Sequence, residues 1–242
     1  FNNQFNYFID ALGLNSLDGN MQASIYKSPF IYNEQMRLFV YNKDLDINDN
    51  SYIENISDQI IKYRTKIQNR ILVLCTSYSQ IQKFEDYNFS DNHTSNSNIF
   101  YQSPGSNRKL LIQNYLEHSN SILFGTSSFW EGVDLPGKDI ETLWIIKIPF
   151  SNPTEPLFIA QSEKYQNKGR NPFLDYSLPE ATTKFKQGFG RLIRNLSDYG
   201  ICILSDPRLV NKKYGKVLLN SLPVESILYN NINDVICKTK FF

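Results

Sequence analysis

The sequence predicts an α/β fold with a mainly parallel β-sheet that is covered by helices on both faces. Short apolar runs alternate with longer amphipathic stretches along most of the 242 residues. Runs such as ILVLC (71–75) contain no polar residue, which is typical of parallel strands whose two faces are both buried. Because parallel strands need a crossover between them, the alternation favours helices that pack on either side of the sheet.

Six apolar runs predict the strands. β-branched and aromatic residues dominate them, and polar or turn-forming residues flank each one. The predicted strands are RLFVY (37–41), ILVLC (71–75), IFYQ (99–102), SILFG (121–125), TLWIIKI (142–148) and YGICILS (199–205).

The stretches between these strands predict helices. Between the first two strands, Ile53, Ile56 and Ile60 recur at the three- and four-residue spacing of one helical face. The segment after the second strand starts with Thr76 and Ser77, which are residues that often begin a helix. The predicted helices are 52–68, 76–87, 106–118, 156–168, 179–196 and 210–220, with a loop at 88–98 and an ambiguous segment from Pro223 onward.

Composition excludes several classes of protein. The net charge is +1, so no global field would draw the chain to nucleic acid or membrane, and any such binding must be local. Cys75, Cys202 and Cys237 show no C-x-x-C spacing, which argues against a zinc site or a disulfide framework. We therefore expect no metal ligands. The sequence shows neither a long apolar run nor a signal-peptide pattern, so we expect the protein to lie in the reducing cytoplasm.

The segment EGVDLPGKD (131–139) is close in spacing to a phosphate-binding loop but does not fit one. Asp139 stands where that loop needs a hydroxyl for Mg²⁺, and Pro136 removes a backbone donor. The residues that follow are β-branched and aromatic, so they predict a strand, whereas a phosphate-binding loop is followed by a helix. We reject this interpretation.

The most informative segment is KFKQGFGRLIRNL (184–196). If it is helical, Gln187, Arg191 and Arg194 lie on the face opposite its apolar residues, which are Phe185, Phe189, Leu192, Ile193 and Leu196. Gly188 and Gly190 each cost about 1 kcal/mol in a helix interior relative to Ala. Close approach of backbone or ligand explains them, and two guanidinium groups suit phosphate oxygens. A merely solvated polar face is the alternative.

Four segments together resemble a known family. Q-x-x-G-R-x-x-R, present as Gln187, Gly190, Arg191 and Arg194, resembles motif VI of superfamily 2 helicases. GTSSFWEGVDLPG (125–137) resembles motif V of the DinG/XPD branch, LCTSY (74–78) resembles motif IV, and SDPR (205–208) is similar to the strand end after motif VI. The similarity runs through roughly residues 25–223 in the order of the family. The chain thus looks like the second RecA-like motor domain of a DinG/XPD-type ATP-dependent DNA helicase.

The resemblance implies how the chain is organised. Residues 1–30 would follow a first motor domain, 31–223 would form the RecA-like domain, and 224–242 would be a C-terminal tail. ATP with Mg²⁺ would be the cofactor, with the phosphate-binding loop and the metal ligands in the missing N-terminal half. The chain alone would then be inactive. Its partners would be single-stranded DNA and that N-terminal half.

The resemblance also implies roles for individual residues. Arg191 and Arg194 would be arginine fingers, and Gln187 would link the nucleotide to the neighbouring domain. The residues expected at the nucleotide are Asp134, Glu131, Gly132 and Gly190. The residues expected at the nucleic acid are Ser77, Thr126, Ser127 and Trp130.

Alternatives remain open at this point. Thr126 and Ser127 could serve as caps of a turn or helix, and Trp130 could pack the loop beside Phe129 instead of stacking on a base. The parent protein could be an exonuclease-fused DinG-like protein that binds DNA and ATP without unwinding. It could also be a non-catalytic nucleic-acid-binding module. A Rossmann-type enzyme is disfavoured because no glycine-rich turn follows an early strand.

Overall fold

A computed structural model of the chain describes residues 5, 8–9, 12–14, 22, 24–26, 28–90, 98–130 and 139–240, with only the backbone of Ser90, Ser127 and Trp130. The strands are β1 Met36–Tyr41, β2 Ile71–Leu74, β3 Ile99–Tyr101, β4 Ile122–Gly125, β5 Thr142–Ile145, β6 Gly200–Leu204 and β7 Ser226–Tyr229. The helices are α1 Tyr32–Gln35, α2 Asn50–Ile67, α3 Tyr78–Ser90, α4 Arg108–Glu117, α5 Ser127–Trp130, α6 Pro156–Asn167, a π-helix Phe173–Ser177, α7 Leu178–Phe189, α8 Arg208–Asn211, α9 Lys213–Asn220 and α10 Ile232–Thr239.

The described strands form one sheet in the order β3-β4-β2-β5-β6-β1-β7, and every pair is parallel. The predicted α/β fold with a mainly parallel sheet is confirmed. The segment 224–242, expected as a tail, supplies the edge strand β7 and the helix α10. Its strand escaped prediction because SILY at 226–229 has only three apolar residues in a row within a polar stretch, and it is largely exposed at the edge of the sheet.

Both faces of the sheet are buried. Successive residues of β2, such as Leu72 and Val73, point to opposite faces and are each almost wholly inaccessible. On one face the core includes residues of α2, α3 and α10. There the ring of Tyr63 meets that of Trp144 edge-on, with centroids 5.9 Å apart. Burial on both faces explains why these strands appear in the sequence as continuous apolar runs.

Helix α2 illustrates how local sequence sets the layer. Asp49 precedes it, and its carboxylate accepts a hydrogen bond of 2.8 Å from the backbone N–H of Ser51. Ile53, Ile56 and Ile60 are buried against the sheet, as their spacing predicts. The helix ends at Ile67, and the next residue, Gln68, adopts a left-handed conformation with φ of 58°.

The chain divides into two compact units. One consists of Phe1–Pro29 with Pro149–Phe185, and the other of Phe30–Ile148 with Lys186–Phe242. Aromatic contacts hold the first unit together: Tyr176 stacks on Tyr165 with ring centroids 5.6 Å apart, and the Arg170 guanidinium lies 4.8 Å from the centroid of Tyr165. The domain limits expected from the sequence, 1–30, 31–223 and 224–242, stay predictions.

Some element limits differ from the expected ones. The strand expected at 142–148 ends at Ile145, and the helix expected at 210–220 is two helices, α8 and α9. The two helices meet where a Cβ on Gly215 would contact the carbonyl oxygens of Arg208 and Leu209. Periodicity does not reveal such a break, because the apolar spacing continues across it.

Gly200 begins β6 directly beneath Leu192. A Cβ at this position would lie 2.7 Å from Leu192 Cγ. We expect Gly200→Ala to lower the free energy of unfolding by about 1–3 kcal/mol, as overpacked core positions do. Urea denaturation of the purified chain measures this loss.

The matched test of that cause is Gly200→Ala in a Leu192→Ala background. If the clash is responsible, the alanine at 200 costs much less there than in the wild type. An equal cost in both backgrounds would contradict the explanation.

Candidate functional site

Residues of the motif IV and motif V segments come together at the carboxyl edge of the sheet. β2 and β4 are parallel neighbours, and their last residues, Leu74 and Gly125, are paired. The backbone N–H of Cys75 donates to the carbonyl of Gly125 at 2.8 Å. Ser77 and Thr126, both expected at nucleic acid, therefore follow adjacent strand ends.

Thr126 is buried and held by a residue that sequence reasoning missed. Its backbone N–H and its hydroxyl donate to Gln102 Oε1 at 2.8 and 3.0 Å. Gln102 Nε2 donates in turn to Ser128 Oγ at 2.8 Å. Thr126 is only 4% exposed, so its hydroxyl positions the turn after β4. The signal for Gln102 in the sequence was its place at the end of a predicted strand, but nothing local pairs it with Thr126.

Helix α5 carries the rest of the described motif V. The ring of Phe129 lies over Gly125, where an added Cβ would come within 2.6 Å of it, and Phe129 is fully buried. Phe129 therefore packs against the end of β4, and the loop-packing role expected for Trp130 stays a prediction. Ser127 and Trp130 begin and end this helix. The remaining motif V candidates, Glu131, Gly132 and Asp134, lie outside the described residues.

Ser77 is exposed at the start of α3. Its hydroxyl accepts from the backbone N–H of Gln80 at 3.2 Å and lies 2.9 Å from the hydroxyl of Ser79. The side chain of Gln80 reaches back, and its Oε1 accepts from the N–H of Thr76 at 3.1 Å. This reciprocal arrangement is close to a capping box. Ser77 thus caps a helix, and it also presents its hydroxyl to solvent.

The motif VI segment is not one long helix. α7 ends at Phe189, and the next residues form a turn in which Arg191 N–H donates to the carbonyl of Gly188 at 3.1 Å. The helix expected at 179–196 is therefore too long, and Leu196, expected on its apolar side, is 70% exposed. The low helix propensity of the two glycines opposes continuation.

The four motif VI candidates occupy different settings. Gln187 lies exposed in the last turn of α7, and Gly190 is exposed in the turn that follows. Arg191 is only 8% exposed, whereas Arg194 is half-buried. Arg194 is thus the more accessible of the two guanidinium groups.

Two buried polar side chains fix the backbone of this turn. Asp198 Oδ2 accepts from the N–H groups of Arg194 and Asn195, each at 2.8 Å. Gln35 Nε2 donates to the carbonyls of Asn195, Leu196 and Asp198 at 3.1–3.2 Å. Asp198 and Gln35 are 4% and 5% exposed. The turn can leave the helix because these partners replace the helical hydrogen bonds it gives up.

The motif VI turn lies at the amino edge of the sheet. It runs directly into Gly200, which pairs with Met36, the first residue of β1. Ser77 and Thr126 follow the carboxyl ends of β2 and β4. A strand of four residues spans roughly 13 Å. The residues expected at the nucleotide phosphates and those expected at DNA are therefore separated by the length of the strands.

Comparison with known proteins decides the family. The family model described as "Helicase C-terminal domain" matches residues 60–225, which is more than half of the chain. The chain belongs to the helicase C-terminal domain family. Among the described residues of this helicase domain, no helix is long and apolar enough to cross a membrane, and no three His, Cys, Asp or Glu residues are grouped as metal ligands would be.

Relatives carry helicase and exonuclease names. The chain is 38% identical over 222 residues to the ATP-dependent DNA helicase YoaA of Haemophilus influenzae. This match covers 92% of the chain and 33% of that protein. It is 36% identical to the ATP-dependent DNA helicase DinG of Photobacterium profundum, over 91% of the chain and 32% of the relative. It is 35% identical to the 3'-5' exonuclease DinG of Bacillus subtilis, and that match covers 92% of this chain and 24% of the relative. The chain spans about a third or less of the length of these proteins.

Solved structures agree on the fold. Two structures of XPD helicase match with TM-scores of 0.58 and 0.60, at 19% and 16% identity. The matches cover 80% and 81% of this chain and 35% and 40% of the XPD chains. The RecA-like fold of the helicase C-terminal domain, expected from the motifs, is confirmed.

A buried ion pair at the carboxyl end of β6 completes this edge of the helicase domain. Asp206 is 1% exposed and accepts three hydrogen bonds from Nε and Nη2 of the Arg208 guanidinium and one of 2.7 Å from the N–H of Ile148. Burial alone would lower the pKa of Arg208, but the hydrogen bonds and charge of Asp206 raise it. Lys147 lies next to this pair, and its pKa is lowered by burial and by the charge of Arg208.

We expect Gln35→Glu to destabilise the domain by about 3 kcal/mol or more, because an unpaired carboxylate would face the carbonyl oxygens of the motif VI turn. Gln166→Glu, on the exposed end of α6, is the matched control. Urea titration at pH 8 and pH 5 measures both. The cost at Gln35 should shrink at the lower pH, because a protonated carboxyl can donate to a carbonyl. Similar small costs for both variants would contradict the assigned contacts.

The bond from Thr126 to Gln102 predicts a second difference. Gln102→Leu leaves the buried N–H of Thr126 without an acceptor and should cost about 1–3 kcal/mol of unfolding free energy. Thr126→Val removes only the hydroxyl and keeps the side-chain shape, so it should cost less. Urea denaturation of the two variants ranks them, and the reverse order would show that Gln102 does not hold this turn.

Proposed function

We propose that the chain is the second motor domain of an ATP-dependent DNA helicase or translocase of the DinG type, acting within a longer protein. One observation carries this proposal. Arg191 and Arg194 lie on a turn whose backbone is fixed by Gln35 and Asp198, in a chain 38% identical to a protein named as an ATP-dependent DNA helicase. A fixed turn keeps two guanidinium groups in place for a phosphate without reorganisation when it arrives.

The residues of the motif VI segment suit a nucleoside triphosphate that is bound between this domain and another one. In this proposal, Arg194 and Arg191 bind the γ-phosphate and stabilise charge on it, a contribution on the order of 10³–10⁵ in rate for an arginine finger. Gln187, exposed at the end of α7, connects the nucleotide to the neighbouring motor domain. ATP with Mg²⁺ supplies the transferable phosphoryl group. Gly190, beside Arg191, lets the backbone approach it.

Other parts of the reaction are assigned to the rest of the protein. The phosphate-binding loop, the Mg²⁺ ligands and the acid that orients water belong in our proposal to an N-terminal motor domain, so the chain alone hydrolyses no ATP. Asp134, Glu131 and Gly132 keep their roles at the ribose side only through the resemblance of motif V. The three free cysteines suit a cytoplasmic location, which we also propose.

The carboxyl edge is assigned to single-stranded DNA. Ser77 offers an exposed hydroxyl there. The hydrogen bonds of Thr126 to Gln102 fix the neighbouring turn, which leads into the helix from Ser127 to Trp130. Closure on nucleotide at the amino edge would move this edge relative to the other motor domain and so shift the DNA. Strand polarity, 5′ to 3′, is inherited from the resemblance alone.

The test is ATP hydrolysis by the full-length parent protein, with and without single-stranded DNA. We expect DNA-stimulated turnover that falls at least about a hundredfold in Arg194→Ala, the order of a lost arginine finger. Arg108→Ala, an exposed arginine at the start of α4, is the matched control and should retain turnover.

Two results would contradict the proposal. Turnover that is absent in the full-length protein would favour a non-catalytic nucleic-acid-binding module. Turnover by the isolated chain that depends on Arg194 would contradict the division of the active site between two domains.

A second function is favoured by the relative from Bacillus subtilis. That protein is named a 3'-5' exonuclease, and the match spans 92% of this chain but only 24% of that protein. The parent protein could accordingly carry an exonuclease domain, with this motor binding DNA and ATP without unwinding. Exonuclease activity that persists in Arg194→Ala, together with no strand separation by the wild type, would establish this second function.

A further inference from the structure

The stretch FIYNEQ, Phe30–Gln35, leads the chain into β1, and we call it the entry segment. It begins where the chain enters the compact unit that holds the sheet, and it ends as the short helix α1, Tyr32–Gln35. In the function proposed above, a first motor domain precedes this stretch in the chain. The entry segment is therefore the part of the described domain that lies nearest in sequence to that first domain.

The carboxamide of Gln35 bonds at both of its ends. Its Oε1 accepts from the backbone N–H of Ile31 at 3.0 Å, within the entry segment itself. Its Nε2 donates to the carbonyls of Asn195, Leu196 and Asp198 in the motif VI turn, at 3.1–3.2 Å. One planar group thus joins the start of α1 to a turn that is 160 or more positions away in sequence.

Burial makes this link persistent. Gln35 is only 5% exposed, so water cannot readily take the place of either end of the carboxamide. Breaking the link would leave one backbone N–H and three carbonyls without this partner, and buried polar groups that lose a partner are costly. The entry segment and the motif VI turn should therefore move together when either is displaced.

A second contact lies on the other side of the two arginines. The ring of Tyr32, in α1, lies near that of Phe189, the last residue of α7, with centroids 6.3 Å apart. The entry segment thus contacts the motif VI segment both before Arg191, at Phe189, and after Arg194, at residues 195–198.

Arg194 is the arginine that follows Gln35 most directly. Its backbone N–H donates to Asp198 Oδ2 at 2.8 Å, and the carbonyl of the same Asp198 accepts from Gln35. Arg191 lies further back in the turn, and its own N–H donates to the carbonyl of Gly188. Two hydrogen bonds therefore connect the carboxamide of Gln35 to the backbone of Arg194.

We propose that Gln35 is a positioning residue that transmits the position of the entry segment to Arg194. Displacement of the chain before Phe30, as two motor domains close on ATP, then places Arg194 at the γ-phosphate. This inference rests on the function proposed above, since it needs a first motor domain and a nucleotide between the domains. Misplacing a group by about 1 Å can lower a rate on the order of 10²-fold, so the link affects turnover.

A double-mutant cycle on ATP turnover by the full-length protein tests the link. Gln35→Met keeps the size of the side chain and removes its hydrogen bonds, so we expect kcat to fall about 10- to 100-fold. In an Arg194→Ala background the same change should lower kcat less than about twofold, because the positioned group is gone. Glu34→Met, at the exposed neighbouring position, is the matched control and should retain turnover.

The cycle distinguishes positioning from loss of structure. A variant that merely unfolds a fraction of the protein lowers kcat by the same factor whether or not Arg194 is present. Equal factors for Gln35→Met in the two backgrounds would therefore overturn the proposal.

The bond from Ile31 to Gln35 tests the entry side of the link. Ile31→Pro removes the backbone N–H at a helix start, where proline is tolerated, and leaves the bonds from Gln35 to the turn in place. We expect kcat to fall about fivefold, the order of one net hydrogen bond. Ile31→Ala keeps the N–H and should retain turnover, since Ile31 is 59% exposed. Equal turnover by the two variants would overturn the link to the entry segment.

The outcomes separate this inference from the proposed function. Turnover that depends on Arg194 but is unaffected by Gln35→Met and Ile31→Pro overturns the inference and leaves the motor assignment standing. Turnover that is indifferent to Arg194→Ala overturns both. If Gln35→Met melts below the assay temperature, the pair of variants at the exposed Ile31 still decides.

Discussion

Every described strand of the sheet is parallel, and the arrangement of the domain depends on this constraint. Parallel strands return through crossovers, so all carboxyl ends gather at one edge and all amino ends at the other. Segments far apart in sequence thereby become neighbours: Thr76 and Ser77 lie beside Thr126 at one edge, and Gln35 lies beside Asn195 and Asp198 at the other. In our proposal the two edges have separate tasks, with DNA at the first and nucleotide phosphates at the second.

Buried polar side chains convert this arrangement into fixed loops. Gln35 and Asp198 hold the motif VI turn, Gln102 holds the turn after β4, and Asp206 ties Arg208 to the segment after β5. Each one satisfies backbone N–H or C=O groups that the loops cannot satisfy within a helix or strand. They contact no expected ligand, yet they determine where the ligand-facing side chains stand. Loss of such a partner leaves a buried polar group unpaired, which is costly.

The described candidate sites share one kind of chemistry. The described candidate sites offer cations, hydroxyls and amides for phosphate, while grouped metal ligands do not occur among the described residues. Phosphoryl transfer needs positioning and charge stabilisation from all sides of the phosphate. In our proposal, a chain that spans about a third of its helicase relatives and offers arginines for phosphate forms one half of a shared cleft. The relatives named helicase and the relative named exonuclease both match the chain over this domain.

The sequence by itself determined the α/β class, the six strands with continuous apolar runs, and the family, because burial on both faces and an ordered set of motifs leave local signals. It did not determine β7, whose edge position leaves no such run, or the end of α7 at Phe189, where apolar spacing continues to Leu196. Gln35 and Gln102 gave no signal either. Their roles depend on partners that lie across the sheet, and only the folded chain brings those groups together.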